Sequence, residues 1–110
     1  MSGRPVCRLE ELTEGEPRGF TLEGEPPLEL ILLRHGGRVL AYRNRCPHTG
    51  INLEWLPDRF LDISGRYLQC ATHGALFRFE DGHCVRGPCA GDALEALPVA
   101  VREGQVVLEG

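Results

Sequence analysis

The stretch LELILLRHGGRVLAYR, residues 28–43, carries the clearest structural signal in this chain. Two apolar runs, residues 28–34 and 38–43, are separated by a His-Gly-Gly sequence at residues 35–37. Glycine adopts a positive φ without steric cost, and short hairpin turns need residues in that conformation. The stretch therefore predicts two antiparallel strands joined by a tight turn.

Shorter apolar runs follow along the chain, and glycine or proline clusters close most of them. The 14 glycines and 8 prolines make up one fifth of the 110 residues, as expected for strands joined by many turns. Further strands are predicted at residues 66–70, 76–80, 83–86, 97–102 and 105–109, with turns at Asp81-Gly82 and Glu103-Gly104. Only residues 9–14 and 90–96 have the composition for a helical turn. Seven short strands predict an all-β fold, a small barrel or sandwich.

Length and charge exclude several classes of protein. A chain of 110 residues predicts one domain, residues 1–110, because domains average about 150 residues. Lys and Arg number 12 against 16 Asp and Glu, so a nucleic-acid backbone meets no basic excess. No apolar run approaches the roughly 18 residues of a membrane helix, and the start lacks the apolar core of a signal peptide. We therefore expect a soluble, cytoplasmic protein with no nucleic-acid or membrane partner.

Two Cys/His pairs carry the chemistry of the sequence. Cys46 and His48 form the first pair, and Cys70 and His73 form the second. Two thiolates and two imidazoles suit a tetrahedral zinc ion, which is one interpretation. Zinc modules usually take a cysteine pair from one loop and a histidine pair from another, whereas each loop here supplies one of each. The mixed order favours a [2Fe-2S] cluster in which one iron takes both thiolates and the other takes both imidazoles.

At these residues the chain resembles the Rieske family, whose pattern is Cys-x-His followed by Cys-x-x-His. Gly50 and Gly74 lie near the ligand positions, and Gly87-Pro88 stands where Rieske domains place a third, proline-containing loop over the cluster. The resemblance spans essentially the whole chain. It implies a small Rieske-like fold of stacked antiparallel sheets, with two ligand loops forming a cluster-binding tip.

The resemblance also implies a cofactor and its ligands, one [2Fe-2S] cluster per chain. Cys46 and Cys70 would hold the buried iron, and His48 and His73 the outer iron near the surface. Two ferric ions and two sulfides carry a double positive charge, which the two thiolates neutralise. An added electron therefore meets less repulsion than in a cluster with four thiolates.

Within the family, the chain resembles the low-potential ferredoxins. High-potential members have a disulfide between the two cluster loops, and the corresponding residues here are Ile51 and Thr72. They also have Ser and Tyr hydroxyls that donate hydrogen bonds to sulfur, where this chain has Ala75 and Phe77. Both devices that favour the reduced state are missing.

The resemblance implies a one-electron carrier that is not itself an enzyme. It would accept electrons from a flavin-dependent reductase and donate them to a terminal oxygenase or another redox enzyme. The short chain and the lack of a His/His/carboxylate set for a second iron exclude an oxygenase subunit. Two alternatives stay open: a small electron-transfer subunit of an assimilatory nitrite reductase, and a zinc-binding interaction module.

The remaining cysteines and one long connection are given structural interpretations. Cys7, Cys84 and Cys89 are expected to be reduced thiols, with a disulfide or a role beside the cluster as the alternative for the last two. Residues 51–65 form a surplus segment, expected to fold as a compact loop in which Trp55 and Phe60 cover the core.

Overall fold

The structure is built almost entirely of antiparallel β-strands. The computed structural model describes residues 3–47, 53, 59–70, 74–89 and 91–109. The elements are β1 (Gly3–Arg8), a 3-10 helix (Leu9–Glu11), β2 (Arg18–Leu22), β3 (Leu28–His35), β4 (Arg38–Arg43), β5 (Tyr67–Gln69), β6 (Leu76–Arg78), β7 (Cys84–Arg86), β8 (Val99–Arg102) and β9 (Gln105–Glu109). The all-β class predicted from the sequence is confirmed.

The described strands form three sheets of three strands each, in the orders β1-β9-β8, β2-β3-β4 and β5-β6-β7. The predicted hairpin is present as β3 and β4, which pair from Leu30↔Arg43 to His35↔Arg38. In the turn of this hairpin, Gly36 and Gly37 have φ values of 60° and 78°. These positive values are the ones that a tight hairpin turn requires.

Strand β3 runs through the centre of the molecule. Its residues Leu30, Ile31, Leu32 and Leu33 are fully buried, each contributing about 1.5–3 kcal/mol by burial. Because side chains alternate along a strand, Ile31 and Leu33 enter the core cluster that contains β5–β7, whereas Leu30 and Leu32 enter the cluster facing β8 and β9. The sheet β2-β3-β4 is therefore the middle of three layers.

Two strands, β1 and β2, were not predicted from the sequence. Strand β1 contains Pro5 and a register shift, and strand β2 begins with Arg-Gly, so neither has the pattern of a regular strand. Residues 9–14 contain only the three-residue 3-10 helix. In residues 91–96, part of the other segment whose composition could hold a helical turn, Ala93 forms an isolated β-bridge with His83 and Ala96 forms one with Tyr42. Among the described residues, no helix is long and apolar enough to cross a bilayer.

Candidate metal centre

The first cysteine loop, residues 44–53, leaves the middle sheet at the end of β4. Asn44 is only 5% exposed; its backbone N–H donates to Glu29 O at 2.9 Å, and its Oδ1 accepts from Leu53 N–H at 2.9 Å. One side chain therefore ties the two ends of the loop together. Cys46 follows two residues later and is fully buried.

The second cysteine loop, residues 70–75, connects β5 to β6. Cys70 N–H donates to Ala75 O at 3.0 Å, and Gly74 N–H donates to Cys70 O at 2.8 Å. Gly74 has φ of 71°, a conformation that closes this loop without the strain of a Cβ. Cys70 is fully buried, so its thiol points into the protein.

The third loop, residues 87–91, packs directly on the second. Gly87 has φ of 104°, and a Cβ added there would lie 2.8 Å from the Cα of Ala75. The loop is anchored at its far end, where Asp92 N–H donates to Cys89 O at 2.9 Å and Cys84 N–H donates to Asp92 O at 2.8 Å. The third loop therefore lies directly against the second cysteine loop, and its expected place over a cluster stays a prediction.

Three thiols meet beneath these loops. Cys84 Sγ lies 3.4 Å from Cys89 Sγ, and both cysteines belong to the same buried core cluster as Cys46. Burial, followed by the neighbouring Cys84 and Cys46 thiols, raises the pKa of Cys89 to about 12. None of the five cysteines, all within the described residues, forms a disulfide. Cys7 lies apart from this group, half-buried on β1.

The expected ligands are only partly within the described residues. Cys46 and Cys70 belong to the same buried core cluster, whereas His48, His73 and Trp55 lie outside the described part of the chain. No group of three or more His, Cys, Asp or Glu side chains among the described residues is arranged to hold a metal ion. The set of four ligands therefore stays a prediction.

The residues around the cysteines fit the interpretation of a low-potential centre. Ala75 and Phe77 are fully buried beside the second cysteine loop, and neither side chain can donate a hydrogen bond. Pro47 and Pro88, next to the first cysteine and in the third loop, are exposed. Phe60 is fully buried, as expected for a residue that covers the core.

Sequence reasoning missed two features of this site. The role of Asn44 in holding the first cysteine loop had no sequence signal, because its partner Leu53 lies 9 residues further along the chain. The grouping of Cys89 with Cys46 in one buried cluster had a partial signal, since Cys89 and Cys84 flank the Gly87-Pro88 pair.

These features define a small all-β protein with two loops that each bear a buried cysteine and a third, glycine-proline loop packed on the second of them. Residues 3–101 match the Rieske [2Fe-2S] domain. The ferredoxin component of the alkene monooxygenase system of Xanthobacter autotrophicus is 32% identical over 103 residues, covering 94% of this chain and 77% of that protein. The chain belongs to the Rieske [2Fe-2S] domain family.

Two further relatives belong to carbazole-oxidising systems. The terminal oxygenase component CarAa of carbazole 1,9a-dioxygenase from a Sphingomonas species is 37% identical over 81 residues, or 74% of this chain. This chain covers only 20% of that oxygenase component. A chain in the solved complex of reduced oxygenase and oxidised ferredoxin of carbazole 1,9a-dioxygenase superposes with a TM-score of 0.75 at 26% identity, covering 98% of this chain and 93% of that one.

A Rieske domain implies a [2Fe-2S] cluster, and the described residues suit one. Cys46 and Cys70 are fully buried, and a buried thiolate is costly unless a positive charge lies against it. A ferric ion supplies that charge and is a normal partner of cysteine thiolates. The donor chemistry of the two cysteines therefore fits the inner iron of the cluster.

Proposed function

We propose that this protein, as one Rieske domain over residues 1–110, carries single electrons to an oxygenase-type redox enzyme through one [2Fe-2S] cluster per chain. Cys46 and Cys70 hold the inner iron, and His48 and His73 hold the outer one. The observation that carries the proposal is the pair of fully buried cysteines on two loops packed beneath the glycine-proline loop, in a chain of the Rieske family.

The cluster supplies a site that accepts and releases one electron, and the chain's own residues prepare it. Asn44 and the hydrogen bonds of Cys70 fix the positions of the two loops, so the thiols need little reorganisation to bind iron. The packing of Gly87 on Ala75 closes the buried side against water. Exposed Pro47 and Pro88 leave a small apolar rim, which suits the small contact area of transient redox complexes.

The partners are inferred from the relatives. One similar protein is the ferredoxin component of a monooxygenase system, and a similar chain occurs in a complex of an oxygenase with its ferredoxin. These likenesses support a terminal oxygenase as electron acceptor. The proposal includes a flavin-dependent reductase as donor and a cytoplasmic location, which rest on the family resemblance and the composition of the chain.

The two alternatives are less well supported. A zinc-binding interaction module does not agree with membership of a [2Fe-2S] family. The similar proteins named above are a ferredoxin and oxygenase components, and they do not favour a nitrite reductase subunit. The chain is therefore best described as an electron-transfer component and not as an enzyme.

Metal analysis of the purified protein and of Cys70→Ser tests the proposal. We expect the wild type to be brown and to contain iron and acid-labile sulfide in equal amounts, and Cys70→Ser to lose the intact cluster, since each ligand completes the coordination of an iron. Cys7→Ser is the matched control, because Cys7 lies apart from the cysteine loops, and it should keep the cluster. A colourless wild type that binds zinc would overturn the proposal.

A further inference from the structure

Each of the two exposed prolines in the loops follows an exposed arginine by two positions. Arg45 and Pro47 belong to the first cysteine loop. Arg86 is the last residue of β7, and Pro88 lies two residues later in the third loop. All four residues are exposed, so each loop presents one positive charge beside one apolar ring.

Neither arginine is neutralised by a neighbouring carboxylate. Arg45 and Arg86 form no ion pair with any residue that the structure describes, whereas Arg43 lies 3.2 Å from Glu95. A guanidinium without such a partner keeps its five N–H donors available, and their planar fork matches the two oxygens of a carboxylate. Both arginines are therefore available to a carboxylate of another molecule.

Contacts between the loops place both arginines at the same end of the molecule. Gly87, next to Arg86, packs against Ala75, the last residue of the second cysteine loop. Cys46, next to Arg45, shares one buried core cluster with Ala75. The two arginines therefore belong to the end of the protein that bears the three loops.

The distribution of charge distinguishes this end from the rest of the chain. Residues 44–91, which contain the three loops and the sheet β5-β6-β7, have five arginines against five Asp and Glu residues. The other residues have seven arginines against eleven Asp and Glu residues. The whole net charge of −4 therefore belongs to the part of the chain outside the loops.

We propose that Arg45 and Arg86 dock this end of the protein against carboxylates on the electron-accepting partner protein. The inference deepens the proposed function and rests on it, because it takes the cysteine loops as the place where the electron leaves. Pro47 and Pro88 supply the apolar part of a contact that is small in transient redox complexes. Charges around such a contact mainly speed the encounter of the partners, so the interaction should weaken as the salt concentration rises.

Electron transfer to small charged oxidants tests this surface. Reduced, cluster-loaded protein is mixed with hexacyanoferrate(III), a trianion, and the return of the oxidised visible spectrum gives the rate. We expect the wild-type rate to fall as ionic strength rises, although the net charge of the protein is −4, because the anion approaches the arginines. Charge reversal in Arg45→Glu or Arg86→Glu should lower the rate on the order of tenfold at low ionic strength.

Arg38→Glu is the matched control. Arg38 is exposed at the start of β4, whereas the first cysteine loop follows the end of that strand, and the substitution changes the net charge by the same amount. The rate of this variant with hexacyanoferrate(III) should stay close to that of the wild type.

A cationic oxidant separates docking from damage to the cluster. With hexaammineruthenium(III), a trication, Arg45→Glu and Arg86→Glu should react faster than the wild type, because the electrostatic interaction changes sign. A damaged cluster or an altered reduction potential would instead move the rates with both oxidants in the same direction.

Two results would overturn the inference and leave the proposed function standing. One is a wild-type rate with hexacyanoferrate(III) that rises with ionic strength. The other is equal rates for Arg45→Glu, Arg86→Glu and Arg38→Glu, all with intact clusters. A wild type that holds no cluster would overturn both the inference and the proposed function.

Discussion

Asn44 shows how one buried polar side chain can position a ligand loop. Its Oδ1 is the acceptor for Leu53 N–H at 2.9 Å, in a part of the core that both residues share. In Asn44→Ala the Leu53 N–H stays buried without this acceptor, and we expect a loss of about 1–3 kcal/mol in the free energy of unfolding. Chemical denaturation measures this free energy of unfolding.

Thr21→Ala, at an exposed position of β2, is the control and should change stability by less than about 0.5 kcal/mol. Equal stabilities for the two variants would contradict this role of Asn44.

Tyr42, on β4 of the middle sheet, is linked to Phe79, which directly follows β6 of the sheet β5-β6-β7. Its hydroxyl donates to Phe79 O at 2.6 Å, and burial, with smaller contributions from Asp81 and Glu80, raises its pKa to about 12 from an ordinary value of 10. Since the folded pKa is the higher one, this contribution to stability is complete below pH 10 and is lost as the pH rises towards 12.

The alkaline stability of Tyr42→Phe should reflect that shift. The variant loses the hydrogen bond at all pH values and is therefore less stable than the wild type at neutral pH. The difference between the two should shrink as the pH rises from 10 to 12, because only the wild type loses the contribution of a neutral Tyr42. Urea denaturation across this range measures the difference, and a gap that stayed constant with pH would contradict the interpretation.

At the scale of the elements, the packing of the third loop on the second depends on Gly87. Gly87 and Gly91 have nearly the same φ, 104° and 100°. A Cβ added at Gly87 would meet the Ala75 backbone, whereas a Cβ added at Gly91 would have nothing within 4 Å. Alanine at either position therefore carries a similar backbone strain, and the contact with Ala75 is the difference between them. The two variants form a matched pair.

We expect Gly87→Ala to lose the cluster faster than Gly91→Ala. The added Cβ, 2.8 Å from Ala75 Cα, must push the third loop away from the second, which admits water beside Cys70. The rate at which visible absorbance bleaches in the presence of an iron chelator measures this opening. Equal bleaching rates would show that backbone strain alone, and not the contact between the loops, controls access to the cluster.

The reduction potential of the whole protein depends on which groups near the cluster can donate hydrogen bonds to its sulfurs. Ala75 and Phe77 are buried without a donor, so the potential should fall near the low end of the Rieske range, about −150 mV and not +300 mV. The potential should also be nearly independent of pH around neutrality. Without those donors, we expect the imidazole ligands of the oxidised cluster to be less acidic than in high-potential members, so that they stay protonated at neutral pH. A midpoint above zero in protein film voltammetry would contradict the low-potential assignment.

The double variant Ala75→Ser with Phe77→Tyr extends that experiment. We expect it to raise the potential, since two hydroxyl donors would stabilise the added electron. A low wild-type potential that the double variant left unchanged would mean that backbone donors or solvent exposure set the value instead.

Much of the fold was predictable because it depends on local pattern. The hairpin of β3 and β4 follows from two apolar runs and a glycine pair, and β4 and β9 begin and end at the predicted residues. Strands β1 and β2 were missed because proline and glycine weaken their pattern, and they exist because neighbouring strands supply their hydrogen bonds. The paired Cys-x-His and Cys-x-x-His motifs were enough to predict the family, which the match over residues 3–101 confirms.

The all-β class and the central hairpin could be predicted from the sequence, because turns and strand periodicity are properties of short segments, and the spacing of the Cys/His pairs predicts the four cluster ligands. Only the folded structure shows that β3 is buried on both faces, that Asn44 fastens the first cysteine loop, and that Cys89 and Cys46 share one buried core cluster. Cys46 and Cys89 are separated by 42 intervening residues and lie on loops from different sheets. Their place in one cluster depends on how the sheets stack, and the pattern of no single segment contains that information.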